Sequence, residues 1–203
     1  MLQISVTADI KEASRYLRKV GERNIPLAVA QALTGTAKHL AKVQARSTAR
    51  HFDRPTKFTQ RGFGVRMAKA SDYKRGTMFS RVFAKDIQAG YLKFGVEGGR
   101  RTPKARAIVV PGPDAKLNRY GNFTRNYIKT QLAKPDTFSG TIGGVAGIWQ
   151  RSKRGKNKLL AVYKPSIEYD RRYPYHQISA RIVPREVTKQ LNRSIRRVAK
   201  ARA

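Results

Sequence analysis

The side chains able to do chemistry are few and poorly placed for it. The three histidines, His39, His51 and His176, include no pair at the i,i+4 spacing that a helical metal site requires. There is no cysteine, which removes thiol catalysis, disulfides and thiolate metal sites together. Glu168 and Asp170 are the closest carboxylates of interest, but Arg171 and Arg172 follow directly, and an ion-pair cluster is expected there rather than a general acid/base pair. The 12 acidic residues are otherwise scattered, whereas two-metal nuclease chemistry needs several that converge. The glycines at 140, 143, 144 and 147 do not fit G-x-G-x-x-G. Gly155-Lys156 is followed by Asn157, and Gln150 stands where a phosphate loop needs its first glycine. These patterns predict no enzyme, no metal and no cofactor; the glycines are expected to let strands bend or approach a neighbour closely.

Arginine and lysine remain, and they dominate. The chain carries 44 of them against 12 acids, a formal charge of +32 in 203 residues. Such a surplus repels itself unless a neighbour supplies negative charge. The cations are spread along the chain: residues 1–50 hold 9, 51–106 hold 14, 107–165 hold 11 and 166–203 hold 10. A basic tail on a neutral domain would concentrate them, so the folded body itself is expected to present them. Two clusters lie in Gly-flanked segments suited to reach phosphate: Arg100, Arg101, Lys104 and Arg106, then Arg151, Lys153, Arg154 and Lys156. Contact with nucleic-acid phosphates releases counterions and falls steeply with salt. With no zinc-finger spacing, no helix-turn-helix and no aromatic stacking motif, that contact is expected to ignore base sequence.

The elements that must position these cations follow from periodicity. Residues 2–7 alternate and predict a strand. Asp9 and Glu12 form a capping-box pair ahead of Ile10, Ala13, Leu17 and Val20, a helix ending at Gly21. A longer helix starts near Pro26 and runs to about Arg50, with Ala30, Leu33, Ala37, Leu40 and Val43/Gln44 on one face. Its alanines predict close packing. Residues 51–62 read as a loop, 63–86 as two strands joined around 71–76, 87–96 as a short helix and 98–103 as a loop. A strand is expected at 107–110, a short helix at 123–133, one Gly-rich strand over 138–151 and another over 158–164. The last two enclose a basic turn. A C-terminal helix has Pro184 in its first turn, with Val183, Val187, Leu191, Ile195 and Val198 as its apolar stripe. The class is α+β, one domain over 1–203: N-terminal helices to 50, a strand-rich antiparallel middle over 51–170, and a basic helical segment over 171–203. The opening lacks a signal-peptide pattern, and the longest uncharged run, 137–150, is too short to span a bilayer. Cytoplasmic synthesis and no membrane partner are expected.

Three stretches together resemble the minor tail protein Z-like, or tail-completion, proteins of tailed bacteriophages. The first is the opening strand and helix followed by Ile25-Pro-Leu-Ala-Val-Ala-Gln-Ala-Leu-Thr-Gly-Thr-Ala-Lys38, which departs from the usual polar residue at Gly35. The second is Gly147-Ile-Trp-Gln-Arg151, a basic turn, and Leu159-Leu-Ala-Val-Tyr-Lys-Pro-Ser166. The third is Tyr173-Pro-Tyr-His176 before the basic helix. Residues 52–135 carry no aligned motif. The resemblance implies a virion protein, made in the host cytoplasm, that finishes the head-proximal end of the tail and joins it to the head near packaged double-stranded DNA. It implies a homo-oligomeric ring of sixfold symmetry contacting tail-terminator, tail-tube or connector proteins. Leu33, Ala37, Leu40, Trp149, Val187, Leu191 and Ile195 are the expected packing or subunit-contact positions, with Trp149 and Tyr163 anchoring the basic hairpin. A nucleoid or ribosome-associated protein outside any virion would carry the same charge signature and stays open as the alternative.

Overall fold

The computed structural model describes residues 3–6, 24–152 and 155–200. The helix expected over 9–20 and its capping box lie outside them, as do Lys153 and Arg154.

Ile25–His51 forms α1, 27 residues and about 40 Å long at 1.5 Å per residue. Pro26 occupies its first turn, where a missing N–H costs nothing, and Arg50 and His51 sit where the helix dipole favours cations. Tyr175–Lys200 forms α5, which runs antiparallel to α1: Gln44 meets Tyr175 and Ser179, while Gly35 meets Gln190 at the other end. The stripe expected on the C-terminal helix faces α1. Val187 is buried, and Val183, Leu191 and Ile195 are half-buried against Leu33, Ala37 and Leu40. Gly35 has a physical reason here. A Cβ at that position would stand 2.6 Å from Gln190 Oε1, so glycine makes room for the crossing side chain.

The C-terminal helix begins at Tyr175, nine residues before Pro184. Pro184 lies inside it rather than in its first turn. Proline removes the hydrogen bond to the carbonyl four residues earlier. That residue is Ala180, which is exposed, so water can satisfy the orphaned oxygen.

Three antiparallel sheets complete the architecture, which is α+β. Gln3–Val6 forms β1, Phe63–Arg66 forms β2 and Ser80–Ala84 forms β3; the order β1-β3-β2 places β3 in the centre. Ser80, Val82 and Ala84 alternate inward, and Val82 joins the α1/α5 core. Lys57–Gln60 forms the short α2 inside the segment expected to be a loop, capped by the Thr56 hydroxyl accepting from the Thr59 N–H. Asp86–Glu97 forms α3, whose Leu92 and Val96 pack with Ala84, Tyr173 and Tyr175 in a second core.

Gly99–Arg101 forms β4 where a loop was expected, pairing with β9, formed by Ile167–Tyr169. Three residues carry no readable period, so only their distant partner makes them a strand. Ile108–Pro111 forms β5, Tyr127–Leu132 the helix α4, and Lys158–Lys164 the strand β8. The Gly-rich run is two strands rather than one: Thr137–Ile142 forms β6 and Val145–Gln150 forms β7. Gly143 and Gly144 join them with φ of 56° and 79°, and a hairpin turn with two positive φ values selects glycine. The order of this third sheet is β5-β8-β7-β6.

Candidate functional site

The two basic clusters are held by β8 at its opposite ends. Ile108 of β5 pairs with Lys164, and the segment bearing Lys104 and Arg106 leads directly into that pairing. Arg100 and Arg101 belong to the adjoining β4/β9 ribbon. At the other end Gln150 pairs with Lys158, so Arg151 and Lys156 flank the β7–β8 turn. The Leu159 N–H donates to the Asp114 carboxylate at 2.8 Å there. Seven residues of strand separate the clusters by about 20 Å along β8. The screening length at physiological salt is about 8 Å. The clusters are therefore electrostatically separate surfaces, not one patch.

All the described members, Arg100, Arg101, Lys104, Arg106, Arg151 and Lys156, are exposed. Arg100 Nε lies 3.8 Å from Glu168 Oε1 across the β4/β9 register, an exposed pair worth little. Glu168 thus pairs with a cation from the paired strand rather than with Arg171 or Arg172 beside it. The Arg151 guanidinium lies 5.1 Å from the Phe138 ring centre, and its backbone N–H donates to the Asp136 carbonyl at 2.8 Å. Asp136 is held below the usual carboxylate range, first by the Gln150 amide donating to Oδ2 at 2.9 Å. The base of the basic turn is thereby fixed, with Arg151 over Phe138 and Lys156 exposed.

Trp149 does not anchor this hairpin in the core. Ile148 does, with Leu160 and Ala161. A register shift falls between Ile148 and Trp149: Ile148 pairs with Ala161 and Trp149 with Leu159, leaving Leu160 as the extra residue. Ile148 takes the core face, so its neighbour Trp149 takes the other. Trp149 is half-buried, and its indole N–H, although shielded from solvent, meets no acceptor among the described residues. Tyr163 lies partly buried against the Ile148 core, its hydroxyl 3.0 Å from that of Ser139. The remaining expected packing positions lie between α1 and α5: Leu33, Ala37 and Leu40 are fully buried, Val187 nearly so.

Sequence reasoning did not bring together a further set of cations. Arg46 and Arg50 near the end of α1 share an open groove with Arg181 near the start of α5. Arg171 and Arg172 line an adjoining groove. The i,i+4 spacing of Arg46 and Arg50 was the available signal. Their convergence with residues some 130 positions away was not.

What holds that junction together is a buried polar knot. The Gln44 amide donates to the Tyr175 carbonyl at 2.9 Å and to Ser179 Oγ at 2.8 Å, while the Tyr173 hydroxyl donates to Gln44 Oε1 at 2.7 Å. Burial pushes both tyrosine hydroxyls well above their ordinary pKa. Both stay neutral through the physiological range, and Tyr173 stays a donor to Gln44. Among the described residues no three His, Asp or Glu side chains cluster as a metal site, and no helix is long and apolar enough to cross a membrane. Comparison with protein-family models, with curated proteins and with solved structures finds no match.

Proposed function

We propose that this chain is a structural protein of a tailed bacteriophage virion, completing the head-proximal end of the tail and joining it to the head, with its cations beside the path of packaged DNA. The observation that carries the polyanion part is the lack of internal charge compensation. Among the described residues only three ion pairs form: Arg54 with its neighbour Asp53, Arg100 with Glu168, and His39 with Glu186, the last only when the imidazole is protonated. Against the 36 arginines and lysines among the described residues this neutralises little, so a chain of formal charge +32 needs an external anion. Exposed clusters about 20 Å apart at the two ends of β8 suit an extended polyanion better than a small one.

The virion role rests on the resemblance of the α1 segment, the β7–β8 hairpin and the Tyr173–His176 segment to tail-completion proteins. Self-association into a ring, sixfold in that reading, has a second support. Thr137 to Gln150 contains no charged residue, and β6 is an edge strand with neither lysine nor proline on it. Natural edge strands are commonly protected by such residues. Beyond its base, where Arg151 lies over Phe138, this hairpin presents no charged side chain of its own to a second copy. Tail-terminator, tail-tube or connector proteins are the neighbours this reading assigns to the ring's two faces.

The test combines sizing with DNA retention on the purified full chain. A ring at moderate salt, and DNA retention falling steeply as salt rises, are expected. Replacing Arg151, Lys153, Arg154 and Lys156 by serine should reduce the logarithmic salt slope by about 0.9 per lost phosphate contact. Replacing Arg100, Arg101, Lys104 and Arg106 should give a separate, additive loss. A monomer that still retains DNA moves the reading to a nucleic-acid-binding protein outside any virion. A monomer indifferent to DNA overturns both.

A further inference from the structure

The arginines at the mouth of the α1/α5 pair form a feature distinct from the two sheet clusters. Arg46, Arg50 and Arg181 line a groove of about 500 Å³, and Arg171 and Arg172 line an adjoining one of about 360 Å³. His51, Pro174 and Gln177 belong to both linings, so the grooves run into each other. Neither lining contains an acidic residue, and none of the five arginines has an ion-pair partner among the described residues. Such volumes lie within the range of ligand sites.

The side chains are of one kind. All five cations are arginine, although the sequence holds 19 lysines in its basic total. Arginine presents a rigid planar fork of donors that matches phosphate oxygens two at a time; lysine presents a point charge. The floor is pre-organised as well. Arg171 Nε donates to the Val96 carbonyl at 3.3 Å, which restrains its guanidinium. His51 Nδ1 donates to the Ser47 carbonyl at 2.8 Å, since that oxygen can only accept. Tyr175, wholly buried, packs beneath the second groove.

We propose that this arginine-lined groove is a phosphate-binding site, and that it takes phosphates as the phosphodiesters of a nucleic-acid strand. Both grooves are open rather than closed, which admits a continuous strand as well as a free ion, so the test must separate the two sources. The inference shares with the functional reading only the premise that phosphate neutralises the cations, and it holds whether or not the chain works in a virion.

The experiment uses the full chain and three proteins: the parent, a groove variant carrying Arg46→Gln, Arg50→Gln and Arg181→Gln, and a control carrying Lys69→Gln, Lys74→Gln and Arg75→Gln. The two variants lose equal charge, and the three control residues are exposed, as are Arg46, Arg50 and Arg181. Retention of a short DNA duplex is measured against salt, and inorganic phosphate is titrated at constant ionic strength while the arginine Nε–H signals are followed. The groove variant should lose up to about 2.7 in salt slope, three contacts at about 0.9 each, and the control distinctly less. Equal losses in both variants would reduce the effect to net charge and overturn the site. Saturable phosphate binding without any difference in DNA retention would overturn the assignment to a nucleic-acid strand. An unchanged slope for the groove variant, with a lowered slope for the Arg151–Lys156 replacements, would sink this proposal and leave the functional reading standing. Should the groove variant fail to fold, Arg50→Lys alone keeps the charge but removes the fork, and weaker DNA retention is still expected; parental retention there overturns the proposal.

Discussion

The Tyr173 hydroxyl donates to Gln44 Oε1 at 2.7 Å, joining two residues 129 apart in sequence inside a site closed to water. Gln44 is fully buried on α1, and its amide nitrogen donates onward to the first turn of α5. One side chain thereby fixes both the register of the helix pair and the approach of the segment that precedes α5. Tyr173 also packs edge-on against Phe52 and beside His51, so the same contact sets the floor of the arginine groove.

Breaking this bond should cost more than one ordinary hydrogen bond, because the partner left behind is buried. Tyr173→Phe strands the Gln44 oxygen and should destabilise the fold by about 1–3 kcal/mol in denaturant unfolding. Gln44→Ala removes the amide's bonds to the Tyr175 carbonyl and Ser179 Oγ and leaves the Tyr173 hydroxyl only the backbone carbonyl of position 44 at 3.2 Å, so it should destabilise the fold by a comparable amount. In the double variant the two losses should not add, since they remove the same contact. Simple additivity would show that the bond contributes nothing of its own.

Alkaline stability should carry the mark of the two tyrosines. Burial raises Tyr173 and Tyr175 above the ordinary value of 10.0, so the unfolded chain ionises them first. Above pH 10 the folded state binds more protons than the unfolded state, and the slope of stability against pH is negative. The contribution is complete below pH 10 and is lost progressively as pH rises towards the folded values. Urea midpoints should drop between pH 9 and 11 in the parent. They should drop less in a variant with both tyrosines changed to phenylalanine. An identical drop in the two proteins would show that other groups govern the alkaline limb.

Two glycines of the uncharged hairpin should respond oppositely to alanine. A Cβ at Gly147 would collide with the Ala161 carbonyl oxygen, a backbone atom of β8 that cannot swing aside. At Gly140 it would meet only the Phe138 ring at 3.5 Å, an ordinary contact. Gly147→Ala should therefore destabilise by about 1–3 kcal/mol, and Gly140→Ala should be near neutral. Equal melting of the two variants would mean that the β7–β8 approach is looser than described.

The C-terminal stripe should contribute unevenly. Leu33 is 1% exposed, so Leu33→Ala should cost about 2–5 kcal/mol. Leu191 and Ile195 are only half-buried, and alanine at either should cost roughly half as much. If those two equal Leu33 in the isolated chain, the helix pair is more tightly closed there than its exposure indicates. If they cost little in stability yet weaken self-association, the exposed part of the stripe is a subunit contact.

Much of the architecture was legible because it depends on neighbours in sequence. The α1 face, the C-terminal stripe, the β7–β8 hairpin and the paired strands over 63–86 all show their period directly. The misreadings share a cause. Pro184 signalled a helix start because local rules do not say that Ala180, whose carbonyl loses its helical partner, is exposed. The run from 138 to 151 looked like one strand because two glycines are equally compatible with a bend and with a two-residue turn. Trp149 looked like the anchor because of its size, whereas the register shift beside Ile148 decides which residue turns inward.

By itself the sequence determined the α+β class, the helix faces and a surplus of positive charge distributed over the whole body, since composition and period are sums over residues or relations between near neighbours. Only the tertiary structure decided that the two predicted cation clusters stand at opposite ends of β8. Only it gathered Arg46, Arg50, Arg171, Arg172 and Arg181 around one mouth. The reason is that strand register and helix crossing are fixed by contacts such as Gln44 with Tyr173, made between segments far apart in the chain, and no local pattern records which distant partner a side chain will meet.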